Sequence, residues 1–186
     1  MRLDVRLQTL VLAVHFLALA LALGPLVFFG AVVAPAAFRV LPTHDMAGAL
    51  QSPILSKLCL MGEGSFLVLF GTSWLLTGND AAKLTRSLLT RLPILGFFAA
   101  IVIRQLLIPQ IDRIRVEAGL IDSLPIGDPS RLLLDRYHRL ATGFFSVEIA
   151  AALILMLATA RLLSAQSPVP SAPMAVPKPA PKILDL

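Results

Sequence analysis

Apolar residues gather in four long stretches of this chain, at about residues 10–38, 56–77, 88–109 and 138–163. A helix rises about 1.5 Å per residue, so a hydrocarbon core about 30 Å thick needs about 20 apolar residues to cross it. Each stretch is close to or above that length. We therefore predict an all-α protein: a four-helix transmembrane bundle, antiparallel and up-and-down, formed by residues 1–163.

The polar segments between the stretches predict how the spans connect. Residues 43–57 are expected to form a short polar connection, and Gly24-Pro25 should kink the first span. The third span should continue past the bilayer, because helical apolar spacing persists at Ile111, Ile114 and Ala118. Asp128-Pro129 is a typical helix start. Spans three and four are thus expected to extend beyond the bilayer together.

The composition changes after residue 163. Six of the fourteen prolines fall within residues 164–182, among Ser and Ala. Such a segment has too little apolar surface to bury against a core. Residues 164–186 are predicted to form a disordered, Pro-rich tail.

Overall composition supports the membrane interpretation. Hydrophobic residues make up 57% of the chain, charged residues 15%, and the mean hydropathy is +0.84. A soluble domain has about half apolar and about a quarter charged residues, so a soluble protein is disfavoured. The basic pI near 10.1 comes from Lys and Arg at the span ends, without interleaved aromatic residues. This pattern indicates contact with the lipid bilayer and predicts no nucleic-acid partner.

Three charged residues lie inside the apolar stretches, more than three residues from either end: Glu63, Arg104 and Glu148. A charge in a membrane span costs a few kcal/mol or more, so each is a candidate functional residue. Counted from the span ends, all three fall in the same half of the bilayer, within reach of a long Arg side chain. We predict a polar pocket formed by Glu63, Arg104, Gln105 and Glu148, with Arg39 and His138 at its rim.

Three interpretations fit these charges. They can form a structural ion pair that fixes helix register, or line a solvated cavity that admits a cation or polar solute. In the third, burial keeps one carboxyl group neutral and hydrogen-bonded to backbone. Two carboxylates against one Arg leave one carboxylate for a ligand or proton. We therefore favour binding or transport of a small ion or polar solute, with a structural or regulatory membrane subunit as the alternative.

The positions of the histidines bear on a second alternative function, a membrane redox or haem-related enzyme. His15 and His138 lie on opposite sides of the bilayer and cannot be the two axial ligands of one haem. His44 and His138 share one side and are candidate metal ligands, although their spacing matches no known motif. The sequence contains no phosphate-binding loop, nucleophile elbow or His-Glu-x-x-His motif. We assign no catalytic residue, predict no cofactor and do not expect an enzyme.

Small residues predict helix association. Gly64, Gly71 and Gly78 recur at seven-residue spacing in the second span. In lipid, such stripes allow helices to approach closely. We expect this face to support a homo-oligomer.

Two segments of the chain carry a family resemblance. Residues 28–42, FFGAVVAPAAFRVLP, followed by Ala47-Gly48, resemble the opening signature of the transmembrane protein 205-like family. Pro109-Gln110-Ile111 and residues 137–140, YHRL, are similar to its later motifs, although Ala141 replaces an expected small hydroxyl residue. In bacterial members this region is a domain of unknown function.

The resemblance covers about residues 10–163 and implies a four-span integral membrane protein. We expect it in the inner (cytoplasmic) membrane of a bacterium. The basic residues flanking the spans are almost evenly divided between the two sides. Arg2 and Arg6 precede the first span, which favours cytoplasmic termini.

Overall fold

The computed structural model describes residues 4–77 and 82–166. They form four long helices: α1 (Val5–Val40), α2 (His44–Leu76), α3 (Lys83–Ala118) and α4 (Pro129–Gln166). A short 3₁₀ turn, Ile121–Ser123, lies between α3 and α4. All four helices are long and apolar enough to cross a membrane, and the described residues contain no strand. The predicted all-α membrane bundle is confirmed.

The helices pack in the order of the chain, and α4 returns to pack against α1. The connections at 41–43, 77–82 and 119–128 are short compared with the helices, so consecutive helices run antiparallel. We call the end that contains residues 41–43 and 119–128 the loop end. Contacts between Asp45 and Asp122 confirm that these two connections lie together, since each backbone N–H donates to the other carboxylate.

The start of α2 differs from the sequence prediction. The predicted connection at 43–57 is wrong, because α2 is helical from His44 onward. Thr43 caps the helix: its Oγ1 accepts a hydrogen bond from Met46 N at 3.1 Å. Pro53 lies inside the helix without ending it. The first three turns of α2 therefore accompany the distal part of α3, where Ser52 Oγ donates to Asp112 Oδ1 at 2.7 Å.

Two helices contain a π-helical turn. Residues Phe29–Val33 form one in α1 and Ile103–Leu107 the other in α3. Each precedes a proline by two residues, Pro35 and Pro109. A proline has no N–H to donate and its ring crowds the preceding turn, which favours a local departure from α geometry. Pro25 itself lies within the α-helical part of α1, so the irregularity follows it by one turn.

The core is divided along the bundle axis. Away from the loop end, α1, α2 and α4 bury an apolar cluster that includes Leu19, Phe66 and Leu155. Toward the loop end, a second cluster forms around Cys59, Ile103 and Ala141. The outer surface is also apolar: large side chains such as Trp74, Leu67, Phe98 and Leu157 are exposed. Apolar residues both inside and outside are what a lipid-exposed bundle requires.

Close helix approach does not use the predicted glycine stripe. Gly64 and Gly71 are exposed and have open space where a Cβ would stand, while Gly78 lies outside the described residues. The described part of the stripe, Gly64 and Gly71, therefore faces outward, away from the other three helices. Inside the bundle, Gly96 of α3 lies against the fully buried ring of Phe66, where a Cβ would overlap the ring. This glycine permits the α2–α3 contact.

The predicted tail lies mostly outside the described residues. Residues 164–166 still belong to α4, and residues 167–186 lie beyond the described part of the chain. The predicted spans otherwise fall inside the observed helices, except that α2 ends one residue before position 77. The helices are longer than the spans at the loop end.

We expect Gly96→Ala to destabilise the bundle, because the new methyl group must displace the buried Phe66 ring. Overpacking of this kind costs about 1–3 kcal/mol. The melting temperature of the purified protein in detergent should fall by several degrees. Gly71→Ala is the matched control, since its methyl group meets open space and alanine favours a helix by about 1 kcal/mol. Equal melting temperatures for the two variants would contradict this account of the α2–α3 contact.

Candidate functional site

An ion pair joins α2 to α3 in the middle of the bundle. Arg104 Nε donates to Glu63 Oε1 at 2.6 Å, and Arg104 Nη2 donates to Glu63 Oε2 at 2.7 Å. The guanidinium thus binds the carboxylate through two parallel hydrogen bonds, the strongest geometry for such a pair. Glu63 is buried, whereas about a quarter of the Arg104 side chain is exposed (25%). The predicted contact between the two helices exists.

The π turn of α3 presents Arg104 to this pair. Arg104 and the adjacent Gln105 are the second and third residues of Ile103–Leu107. With its carboxamide oxygen turned to the guanidinium, Gln105 accepts from Nη1 and Nη2 at 3.2 and 3.0 Å. Gln105 is exposed on the outer face of the bundle. The guanidinium therefore lies between a buried carboxylate and an outward-facing amide.

Glu148 is the least satisfied polar group in this region. Its side chain is fully buried (0% exposed) in α4, and neither carboxyl oxygen has a hydrogen-bond partner among the described residues. A Cβ added to Gly62 would lie 3.3 Å from Glu148 Oε2, which places the carboxyl against α2 one residue from Glu63. The second carboxylate is thus brought beside the ion pair without joining it.

The predicted rim residues are not gathered around these charges. Arg39 is exposed near the end of α1, and His138 is exposed on α4. His138 instead lines a separate cleft, described below. Both residues were predicted to lie on the loop-end side of the charges. Position along a span does not determine the direction in which a side chain faces.

The two predicted metal ligands, His44 and His138, make no recorded contact with each other within the described residues. His44 Nδ1 is 3.4 Å from Asp122 Oδ1, and its ring packs against Phe38 with 5.6 Å between ring centroids. His138 is not part of that contact. No group of three or more His, Cys, Asp or Glu residues suited to a metal ion occurs within residues 4–77 and 82–166.

A second buried polar group was missed by the sequence analysis. His15 is fully buried, with Nδ1 2.8 Å from Thr72 Oγ1 and Nε2 2.9 Å from Thr159 Oγ1. The imidazole therefore connects α1, α2 and α4 in the half of the bundle away from the loop end. Counting residues from the helix ends, as was done for the charges, would have placed the two threonines at the level of His15.

The His15 ring links the hydrogen-bond roles of the two threonine hydroxyls. Each also lies within hydrogen-bond distance of a carbonyl in its own helix: Val68 O for Thr72 at 2.8 Å and Leu155 O for Thr159 at 2.9 Å. A neutral imidazole carries one N–H, so one hydroxyl accepts from the ring while the other donates to it. Only the accepting threonine keeps its hydrogen bond to its own helix.

A cleft of about 360 Å³ opens near the loop end and is lined by all four helices. Its walls are mainly apolar, and its polar members include Gln51, Ser52, Arg115 and His138. Glu63, Arg104 and Glu148 do not line it. The charged residues of the predicted pocket are therefore separate from the observed cleft, although both lie in the same half of the bundle. We call the latter the loop-end cleft.

The sequence was compared with protein families, curated proteins and solved structures. A family model described as "Domain of unknown function (DUF4149)" matches residues 17–119, which is more than half of the chain. The matched region runs from α1 to the end of α3 and includes both Glu63 and Arg104. No curated protein and no solved structure matches the chain.

The ion pair can be tested by a double-mutant cycle. Arg104→Leu should lower the melting temperature in detergent by several degrees, because Glu63 is left buried without its partner. Adding Glu63→Gln should restore much of that loss, whereas adding Glu148→Gln should restore little, because Glu148 makes no hydrogen bond to Arg104. Small and additive effects for all three substitutions would show that the pair contributes little to the fold.

The histidine contacts give a separate prediction. Thr72→Val and Thr159→Val each remove one hydroxyl from His15, and we expect each to destabilise the protein by about 1 kcal/mol. Unfolding in a graded detergent mixture measures the change. Thr90→Val is the control, because the hydroxyl of Thr90 bonds to Arg86 O within its own helix at 2.9 Å. An equal loss in the control would mean that the interhelical bonds to His15 are not the cause.

Proposed function

We propose that this multi-pass membrane protein, which belongs to the DUF4149 family, binds a small cation or polar solute at Glu148. The observation that carries the proposal is the fully buried carboxyl group of Glu148, whose two oxygens have no hydrogen-bond partner within the described chain. The smallest occupant of such a site is a proton.

An unpaired carboxylate is costly to bury. Transferring an ionised group from water into a medium of low polarity is strongly unfavourable, and even a neutral polar group loses free energy when it has no partner. Within a membrane bundle such groups face the protein interior and mark ion or proton sites. Glu148 therefore requires either a proton or a bound cationic or hydrogen-bonding solute to balance it.

The ion pair explains why Arg104 does not supply that balance. Both of its hydrogen bonds to a carboxylate go to Glu63, and the Gln105 oxygen accepts from Nη1 and Nη2. The charge of Arg104 is therefore already balanced by Glu63. Of the two carboxylates in this region, one is paired and the other is left for a ligand.

A structural or regulatory subunit is the second candidate function. The two-bond geometry of Glu63 and Arg104 favours it, because that pair fixes the register of α2 against α3 without any ligand. Under this alternative Glu148 is a neutral carboxyl buried by packing. A haem-binding enzyme is less well supported, since both ring nitrogens of His15 face threonine hydroxyls.

The proposal also covers the location, orientation and self-association of the protein. The likeness of residues 28–42 to the transmembrane protein 205-like family supports a bacterial inner membrane as the location. Arg2 and Arg6 before the first span support cytoplasmic termini. The outward-facing Gly64 and Gly71 would allow a second copy of the chain to approach α2.

The test is a thermal-shift screen of the purified protein in detergent across alkali, alkaline-earth and transition metal ions and small organic cations. A ligand that raises the melting temperature of the wild type should have no effect on Glu148→Gln, which keeps the shape but cannot carry the charge. Glu117→Gln serves as the control, because Glu117 is exposed near the end of α3.

Two results would decide against the proposal. If Glu148→Gln raises the basal melting temperature and leaves every ligand response unchanged, Glu148 is a neutral packing residue. If no cation or solute shifts the wild type, and proton release measured during detergent unfolding near neutral pH is the same for wild type and Glu148→Gln, neither a ligand nor a proton is held there.

A further inference from the structure

The loop-end cleft has an elongated shape set by the helices that line it. Along α1 its lining extends from Leu26 to Phe38, and along α4 from His138 to Ile149. At about 1.5 Å per residue these ranges are about 18 Å and about 16 Å long. One leaflet of a bilayer contributes about half of the 30 Å hydrocarbon core, or about 15 Å. The cleft is therefore as long as the hydrocarbon part of one leaflet.

The two ends of the cleft differ in chemistry. Near the loop end it is lined by Arg115, His138 and Gln51. Toward the middle of the bundle it is lined mainly by Leu26, Phe29, Phe145 and Ile149. Thr142 and Ser146 also line it, but their hydroxyls donate to carbonyl groups of α4 itself. The change from polar to apolar follows the direction in which a membrane lipid changes from head group to chain. A uniformly apolar helix interface would show no such order.

Arg115 is the main charge at the polar end. Its guanidinium lies against Gly48 of α2, where a Cβ would overlap it, so the absence of a side chain at Gly48 creates the space it occupies. Arg115 Nε is buried and has no hydrogen-bond partner among the described residues. The nearest carboxylate, Asp112 Oδ1, is 4.0 Å from Nη1 and already accepts a hydrogen bond from Ser52. The guanidinium retains donors for an anion in the cleft.

The cleft forms because α1 and α4 pack unevenly along their length. Away from the loop end, small residues bring the two helices together: Ala18, Ala22, Ala151, Ala152 and Ala158 belong to one buried cluster. Toward the loop end the π turn Phe29–Val33 interrupts α1, and Phe29 and Gly30 of that turn line the cleft. The volume of about 360 Å³ lies within the range of about 300–1,000 Å³ that is usual for ligand sites.

We propose that the loop-end cleft binds one acyl chain of an anionic phospholipid, with the phosphate-bearing head group on Arg115. The chain lies along Leu26, Phe29, Phe145 and Ile149, and His138 and Gln51 flank the head group. The charge of Arg115 selects an anionic head group over a zwitterionic one. This site is independent of Glu148, which does not line the cleft.

The experiment compares lipids that differ only in head group. The full-length protein in detergent is titrated with phosphatidylglycerol and with phosphatidylcholine of identical chains, and binding is read by melting temperature and by native mass spectrometry. We expect phosphatidylglycerol to give the larger shift and the longer-lived complex. Arg115→Gln should reduce the two lipids to the same response, whereas Arg113→Gln should retain the preference, since Arg113 is exposed on the same helix and does not line the cleft.

A second pair of variants tests the chain-binding part. Gly30→Phe places a large side chain in the cleft and should abolish retention of both lipids, while Gly24→Phe, six residues earlier on α1 and outside the lining, should not. If Arg115→Gln fails to fold, Gly48→Ala tests the role of Arg115 instead. The new methyl group at position 48 displaces the Arg115 guanidinium without removing its charge. We expect Gly48→Ala to weaken the preference for phosphatidylglycerol.

Several outcomes would overturn the proposal. Equal responses of the wild type to the two lipids would exclude head-group selection. An equal shift with inorganic phosphate alone would identify a free-anion site with no role for the chain. A lipid-independent dimer that Gly30→Phe disrupts would show that a second copy of the chain occupies the cleft. None of these outcomes affects the test of the Glu148 proposal. That test measures the response to cations and depends on a substitution at a different residue.

Discussion

In the hydrocarbon layer no water is available to satisfy a polar side chain, so a buried polar group needs a partner within the protein. The Glu63–Arg104 pair meets this requirement for both of its members, because it joins α2 to α3 through two short hydrogen bonds. Its geometry determines what its neighbours can do. Since Arg104 is paired with Glu63, the buried carboxyl group of Glu148 is left without a hydrogen-bond partner among the described residues.

The same constraint divides the bundle into two halves. Away from the loop end, His15 is held by two threonines within a tightly packed apolar cluster, and the buried hydroxyl of Ser73 has no hydrogen-bond partner among the described residues. Toward the loop end, polar groups remain without partners, namely the carboxyl oxygens of Glu148 and Nε of Arg115. A cleft lies in that half. The cleft therefore lies in the same half of the molecule as the unpartnered oxygens of Glu148 and Nε of Arg115.

Much of the fold was accessible from the sequence because the apolar stretches are long and their charges few. Counting residues from the span ends also brought Glu63 and Arg104 to one level, and the structure joins them. The direction of a side chain around its helix could not be obtained in this way. Depth alone placed His138 at the rim of the charges, whereas its position on α4 turns it into the cleft.

Local irregularities account for the remaining differences. The polar composition of residues 43–57 suggested a connection, yet Thr43 caps a helix there that is stabilised by packing along α3. The π turns were also invisible to a hydropathy pattern, because they alter hydrogen bonding without altering composition. Such a turn shifts every later side chain around the helix axis. An unbroken 3.6-residue periodicity therefore misplaces residues that follow Phe29 in α1 or Ile103 in α3.

The π turns also link the two candidate sites to a single structural cause. One contains Arg104 and the other contains Phe29 and Gly30, so both sites are built where a helix departs from regular geometry. On α4 the sites face different directions: Glu148 is fully buried toward α2, while the adjacent Ile149 lines the cleft. Successive helical residues point about 100° apart, so these two neighbouring side chains leave α4 in different directions.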